Sequence, residues 1–165
     1  MITPLIILVL LTSPVMLAFM HAKYNGKTLD VAKYASVGLG IAFIYFSIGH
    51  VVKTQGMVEM LPPWVPFRLA LVYLTGVLEL AIGVALFVPK YRAFAAKMAI
   101  LIFIAFFPAN VYAALNSVGL GGHQWGPVYL LVRSPLQLIL IAWTYFLCLR
   151  SHNIFVSNAS SEKQK

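Results

Sequence analysis

Residues 67–88 read FRLALVYLTGVLELAIGVALFV, a run whose only charges are Arg68 at its start and Glu79 near its middle. A helix rises about 1.5 Å per residue, so the stretch beyond Arg68 reaches about 30 Å, the thickness of a bilayer's hydrocarbon core. Four further stretches share this character, at 2–20, 35–52, 95–115 and 129–149. The chain is therefore expected to be an all-α integral membrane protein with five transmembrane spans. One helical domain covers residues 1–150, and a polar tail over 151–165 has too little apolar content to pack.

The composition agrees. Of 165 residues, 61% are apolar and 10% charged, where a soluble domain averages about 45–50% and 25%. Disorder and a disulfide scaffold are excluded on those grounds, and Cys148 is a single cysteine. The net charge of +8 sits in short clusters between the apolar runs. Nucleic acid, which needs a contiguous basic face, is not an expected partner, and membrane lipid is.

Those clusters also predict orientation. Nine Lys and Arg fall in residues 21–34, 89–97 and from Arg150 onward, against Lys53 and Arg68 on the opposite side, with Arg133 inside a span. Positive loops stay in the cytoplasm, so a cell-membrane protein with its N-terminus outside and its C-terminus inside is expected. The first span is expected to be retained rather than cleaved, because it lacks a basic leader and Phe19-Met20-His21 is no small-residue cleavage site.

Polar side chains inside spans are expensive and face partners or cavities. Glu79 lies eleven residues from both Arg68 and Lys90, near the midplane. By the same counting His50, Asn110, Arg133 and Gln137 lie in the outer half, and the inner half offers nothing comparable. A pocket opening outward is expected, with Glu79 as its floor, facing Asn110 and either Gln137 or Arg133. Two stripes of small residues, Ser36, Gly40, Ser47 and Gly76, Gly83, share faces with His50 and Glu79 and read as seams between close helices.

Two spans carry prolines near this region. Pro108 is expected to free the carbonyl of Ile104 for Asn110 or a ligand. Arg133-Ser134-Pro135-Leu136-Gln137 reads as a helix start, with Ser134 capping, Pro135 in first position and residues 128–134 less regular. Trp64, in the proline-rich loop 60–66, belongs to the interfacial aromatic belt. No nucleotide, haem or diagnostic metal motif occurs, and neither haem nor metal is expected.

Several elements in order are similar to the DoxX-like (DoxX/DoxD) membrane family. They are Phe46-Ser47-Ile48-Gly49-His50, Met60-Leu61-Pro62-Pro63-Trp64-Val65-Pro66, Tyr73-Leu74-Thr75-Gly76-Val77-Leu78-Glu79, Pro89-Lys90-Tyr91-Arg92, Phe107-Pro108-Ala109-Asn110-Val111-Tyr112 and Arg133-Ser134-Pro135-Leu136-Gln137. The resemblance covers residues 35–148 and implies a four-helix transmembrane bundle, here with one extra N-terminal helix. It also implies quinone-linked redox chemistry, since members similar to the archaeal DoxD subunit belong to thiosulfate:quinone oxidoreductase.

The leading expectation is thus a quinone-associated redox subunit, an oxidoreductase component working with a redox partner subunit. Glu79 and His50 are the candidate catalytic, proton-exchanging groups. Asn110, Arg133, Gln137, Tyr73 and Trp64 are the candidates to bind a quinone. Two other readings stay open: a non-catalytic accessory or assembly protein, and a carrier or isomerase for a small lipophilic molecule.

Overall fold

The computed structural model describes residues 2–26 and 28–150; the tail expected over 151–165 lies outside them. The described residues form helices α1 (Ile2–Asn25), α2 (Val31–Val52), α3 (Thr54–Glu59), α4 (Arg68–Phe87) and α5 (Arg92–Leu115), with no strand among them. A 3₁₀ helix, His123–Tyr129, then leads into α6 (Leu130–Trp143), and a π-helix, Thr144–Arg150, completes the last span. Five helical stretches are long and apolar enough to cross a membrane: α1, α2, α4, α5 and the composite His123–Arg150. The chain is a multi-pass membrane protein.

Local chemistry sets the helix ends. Asp30 accepts the backbone N–H of Lys33 at 2.9 Å, and this N-cap starts α2 four residues before its apolar run. Val88 is extended, as the residue before Pro89 must be, and that stops α4.

The small-residue stripes meet as seams. Ser36, Gly40, Phe43, Ser47 and His50 are buried on α2, and Val72, Gly76, Glu79 and Gly83 on α4. The backbones come so close that a Cβ on Gly83 would lie 3.1 Å from the carbonyl oxygen of Gly40. Lipid is as apolar as leucine, so this approach supplies the dispersion contacts that water exclusion supplies in soluble proteins. Leu11 brings α1 into the same core, with Leu39 and Phe43 of α2, Leu86 of α4, Phe103 of α5 and Leu140 of α6. Much of α1 otherwise stays exposed, including Leu5, Val9, Met16 and Phe19.

The last span departs from expectation. Pro135 lies inside α6, which begins at Leu130, and Ser134 caps nothing. A proline removes one N–H, and here the loss falls just past the first helical turn, where the preceding 3₁₀ segment already carries the chain inward. The irregular stretch is 123–129, bent at Gly126 (φ 78°, ψ −160°), and residues 130–134 are α-helical. The closing π-helix had no sequence signal.

Candidate functional site

The polar groups form two sets. In the first, His50 of α2 meets Glu79 of α4, with the imidazole Nε2 3.1 Å from the carboxyl Oε2. Both are buried, at 8% and 5% exposure. The His50 Nδ1 lies 2.6 Å from the carbonyl oxygen of Val72. A carbonyl only accepts, so Nδ1 carries a hydrogen and donates it. Nε2 and Oε2 face each other at ion-pair distance, although Oε2 takes no aligned hydrogen bond, and one proton held by either group balances the couple. Written as imidazolium–carboxylate or as imidazole–carboxylic acid, the pair is neutral overall, which is how an ionisable couple is tolerated in lipid. Gly76 makes room for it, since a Cβ there would stand 2.7 Å from the Cβ of His50. The Thr75 hydroxyl donates to the carbonyls of Leu71 at 2.8 Å and Val72 at 3.0 Å. The arrangement can pass a proton between two groups without creating net charge.

This corrects the expected partner of Glu79, which was Asn110 with Gln137 or Arg133. Counting from flanking charges put His50 near the surface and Glu79 near the midplane. Yet His50 stands level with Val72 and Gly76, so α2, which ends two residues later at Val52, stops about one turn inside the start of α4. Helix α3 and the loop to Phe67 occupy the sequence between them.

The second set joins α5 to α6. Arg133 donates from Nε to the Asn110 Oδ1 at 3.0 Å and from Nη1 to the Gln137 Oε1 at 2.7 Å. Gln137 in turn donates from Nε2 to the Phe103 carbonyl, and Asn110 donates to the Phe106 carbonyl at 2.7 Å. Pro108 therefore does not hand Asn110 the carbonyl of Ile104. Asn110 instead takes the nearer carbonyl of Phe106, one turn back, and Gln137 reaches across from α6 to that of Phe103. Beside this set lies a groove of about 360 Å³ lined by Ile104, Phe107, Ser134, Gln137, Leu138 and Ile141. Ile104 and Leu138 are more than half exposed, so the groove opens on the apolar, lipid-facing side. Glu79 does not line it, and the single pocket floored by Glu79 gives way to two separate sets.

Tyr73 and Trp64 join neither set; they are 47% and 81% exposed. Sequence reasoning missed three groups. His123 is buried against Tyr129, ring centroids 4.8 Å apart, and donates from Nδ1 to the Leu120 carbonyl. Its Nε2 is buried without a partner. Tyr129, by the 3₁₀ helix it ends, was hidden in what read as irregular chain. Arg92, read as a topology charge, is buried at the opposite end of α5 from Asn110, its Nε 3.4 Å from the Leu86 carbonyl. With Ser36, Thr144 and Cys148 also buried, the end of the bundle away from Asn110 and Arg133 is not free of polar groups. Among the described residues no three His, Cys, Asp or Glu side chains gather as a metal site would require.

Fold and site together define a multi-pass membrane protein with a buried His–Glu couple and a lipid-facing groove, one of whose lining residues, Gln137, is hydrogen-bonded to an arginine. Residues 39–148 match the family model described as Domain of unknown function (DUF8561). The chain belongs to that family, and the match takes in every residue of both polar sets. No curated protein and no solved structure matches the chain.

Proposed function

We propose that this protein is a DoxX-like, quinone-associated redox subunit of the cell membrane. The observation that carries the reading is the α5–α6 groove: apolar, open toward lipid, with Gln137 in its wall and Arg133 bonded to the Gln137 amide behind that wall. A ligand that arrives through lipid and presents an oxygen to a guanidinium has a hydrocarbon tail and a carbonyl-type head, which describes a quinone. The His50–Glu79 couple is the group of the chain suited to proton exchange with such a ligand. In this reading α2, α4, α5 and the last span form a four-helix bundle with α1 outside it. The charge bias supports an outer N-terminus and an inner C-terminus, which puts Arg133 in the outer half and leaves the inner surface for a redox partner subunit.

A test is organic extraction of protein purified in a neutral detergent, followed by thermal unfolding with and without added quinone. Co-extracted quinone, and a rise in Tm that Arg133→Leu abolishes, are the expected results. Absence of both rejects the reading.

One observation favours the accessory-protein alternative. His50, Gln137 and the Trp143 indole each donate to a backbone carbonyl of another helix, Val72, Phe103 and Ala35. Side chains so committed act as fasteners between helices. Full function of Glu79→Gln in native membranes, with a stoichiometric partner recovered, selects that alternative.

A further inference from the structure

Among the described residues Arg133 has no counter-charge. Of the described acidic side chains, Asp30 caps α2 and Glu79 is engaged by His50. Glu59 is exposed, with the Gln55 amide 3.3 Å away. The two acceptors at Arg133 are neutral amide oxygens. Only two of its five N–H donors are used, which leaves both on Nη2 and one on Nη1. No second cation takes part: His123, nearby on the 3₁₀ helix, spends its Nδ1 hydrogen on the Leu120 carbonyl, and its buried Nε2 has nothing to donate to. A full positive charge thus stands in the span, held in place by two amides and neutralised by none. Neutral amides orient a guanidinium. They do not cancel its field, and a charge at such depth is normally paired.

We infer that the groove's ligand carries an ionised oxygen, so that the site is specific for an anionic amphiphile over a neutral one. This rests on the groove being a lipophilic-ligand site, as proposed above, and adds the charge of the head. The tail lies along Ser134–Ile141 of α6 and Ile104–Phe107 of α5. At the Gln137 end of the groove the ionised oxygen displaces or joins Gln137 as partner of the Arg133 guanidinium, which keeps unused N–H donors and whose planar fork suits two oxygens of one group. Two sources share this chemistry: the ring enolate of a hydroxylated quinone and the phosphate of an anionic lipid.

The experiment compares charged and neutral ligands of matched tail length on the full chain in neutral detergent, read by quenching of tryptophan fluorescence. One pair is an alkylated hydroxynaphthoquinone and its O-methyl ether. The other is phosphatidic acid and diacylglycerol. The expected result is at least tenfold tighter binding of a charged member than of its neutral counterpart. Arg133→Gln, which keeps hydrogen-bond donors but removes the charge, abolishes this preference, and Arg133→Lys retains it. The comparison on the unaltered chain needs no variant, so a poorly folding substitution does not spoil it. Binding of phosphatidic acid without either naphthoquinone supports the anionic head and rejects the quinone. Equal binding of charged and neutral members overturns the inference while leaving the groove a ligand site. Failure of all four to bind overturns the groove reading with it.

Discussion

Replacing His50 and Glu79 singly and together tests whether they act as one proton-sharing unit. The tautomer fixed by Val72 sets the order of effects. In Glu79→Gln the amide can donate to the bare Nε2 of a neutral His50, so a neutral contact replaces the ion pair and the cost is about 1 kcal/mol or less. In Glu79→Leu that nitrogen is buried without a partner, at roughly 1–3 kcal/mol. In His50→Leu the carboxyl loses its partner at 5% exposure, and removing one member of a buried ion pair costs about 3–5 kcal/mol. Interhelical hydrogen bonds in membranes couple by about 0.6 kcal/mol on average and up to about 1.7. This contact is charge-assisted and shielded from lipid and water alike, so its coupling belongs at the upper end, about 1.5 kcal/mol or more. His50→Leu/Glu79→Leu should therefore be less destabilised than the sum of its parents by that amount. Reversible unfolding in mixed micelles, followed by circular dichroism, measures all four chains. Losses that add within about 0.5 kcal/mol, the tolerance for independent sites, refute the shared proton.

Gly76→Ala places a methyl 2.7 Å from the Cβ of His50 and should cost about 1–3 kcal/mol as overpacking. The loss should shrink when His50 is also glycine, which removes the Cβ that the methyl meets, and an undiminished loss relative to His50→Gly in the same unfolding assay places the strain elsewhere. For topology, single cysteines at the exposed Gln55 and Gln124 should react with an impermeant maleimide from outside, and one at Tyr24 should not. The native Cys148 is fully buried and supplies no background; the reverse pattern of labelling inverts the orientation.

The number, length and apolar character of the spans were legible because a bilayer imposes them on each segment alone. Every backbone group must bond within its own helix, so a run such as 67–88 has no alternative conformation. The seams were legible for a related reason: small residues recurring every three or four positions mark the face of close approach, whatever the partner. Pairing across helices was not. Depth counted from Lys53 and Arg68 assumes that both helices start at the surface, and α2 ends about one turn lower, so His50 rather than Arg133 meets Glu79. Proline chemistry at 134–135 described a helix start that the 3₁₀ turn made unnecessary. Burial of Arg92 and His123 had no local signal either, since a lone basic residue reads the same at an interface or inside a bundle. Sequence by itself determined that the protein lives in the membrane and which faces its helices hide, because those follow from one helix against one solvent. The tertiary structure alone decided which polar groups meet as a pair and which cation finds no acidic partner among the described residues, because those depend on the relative offset of neighbouring helices.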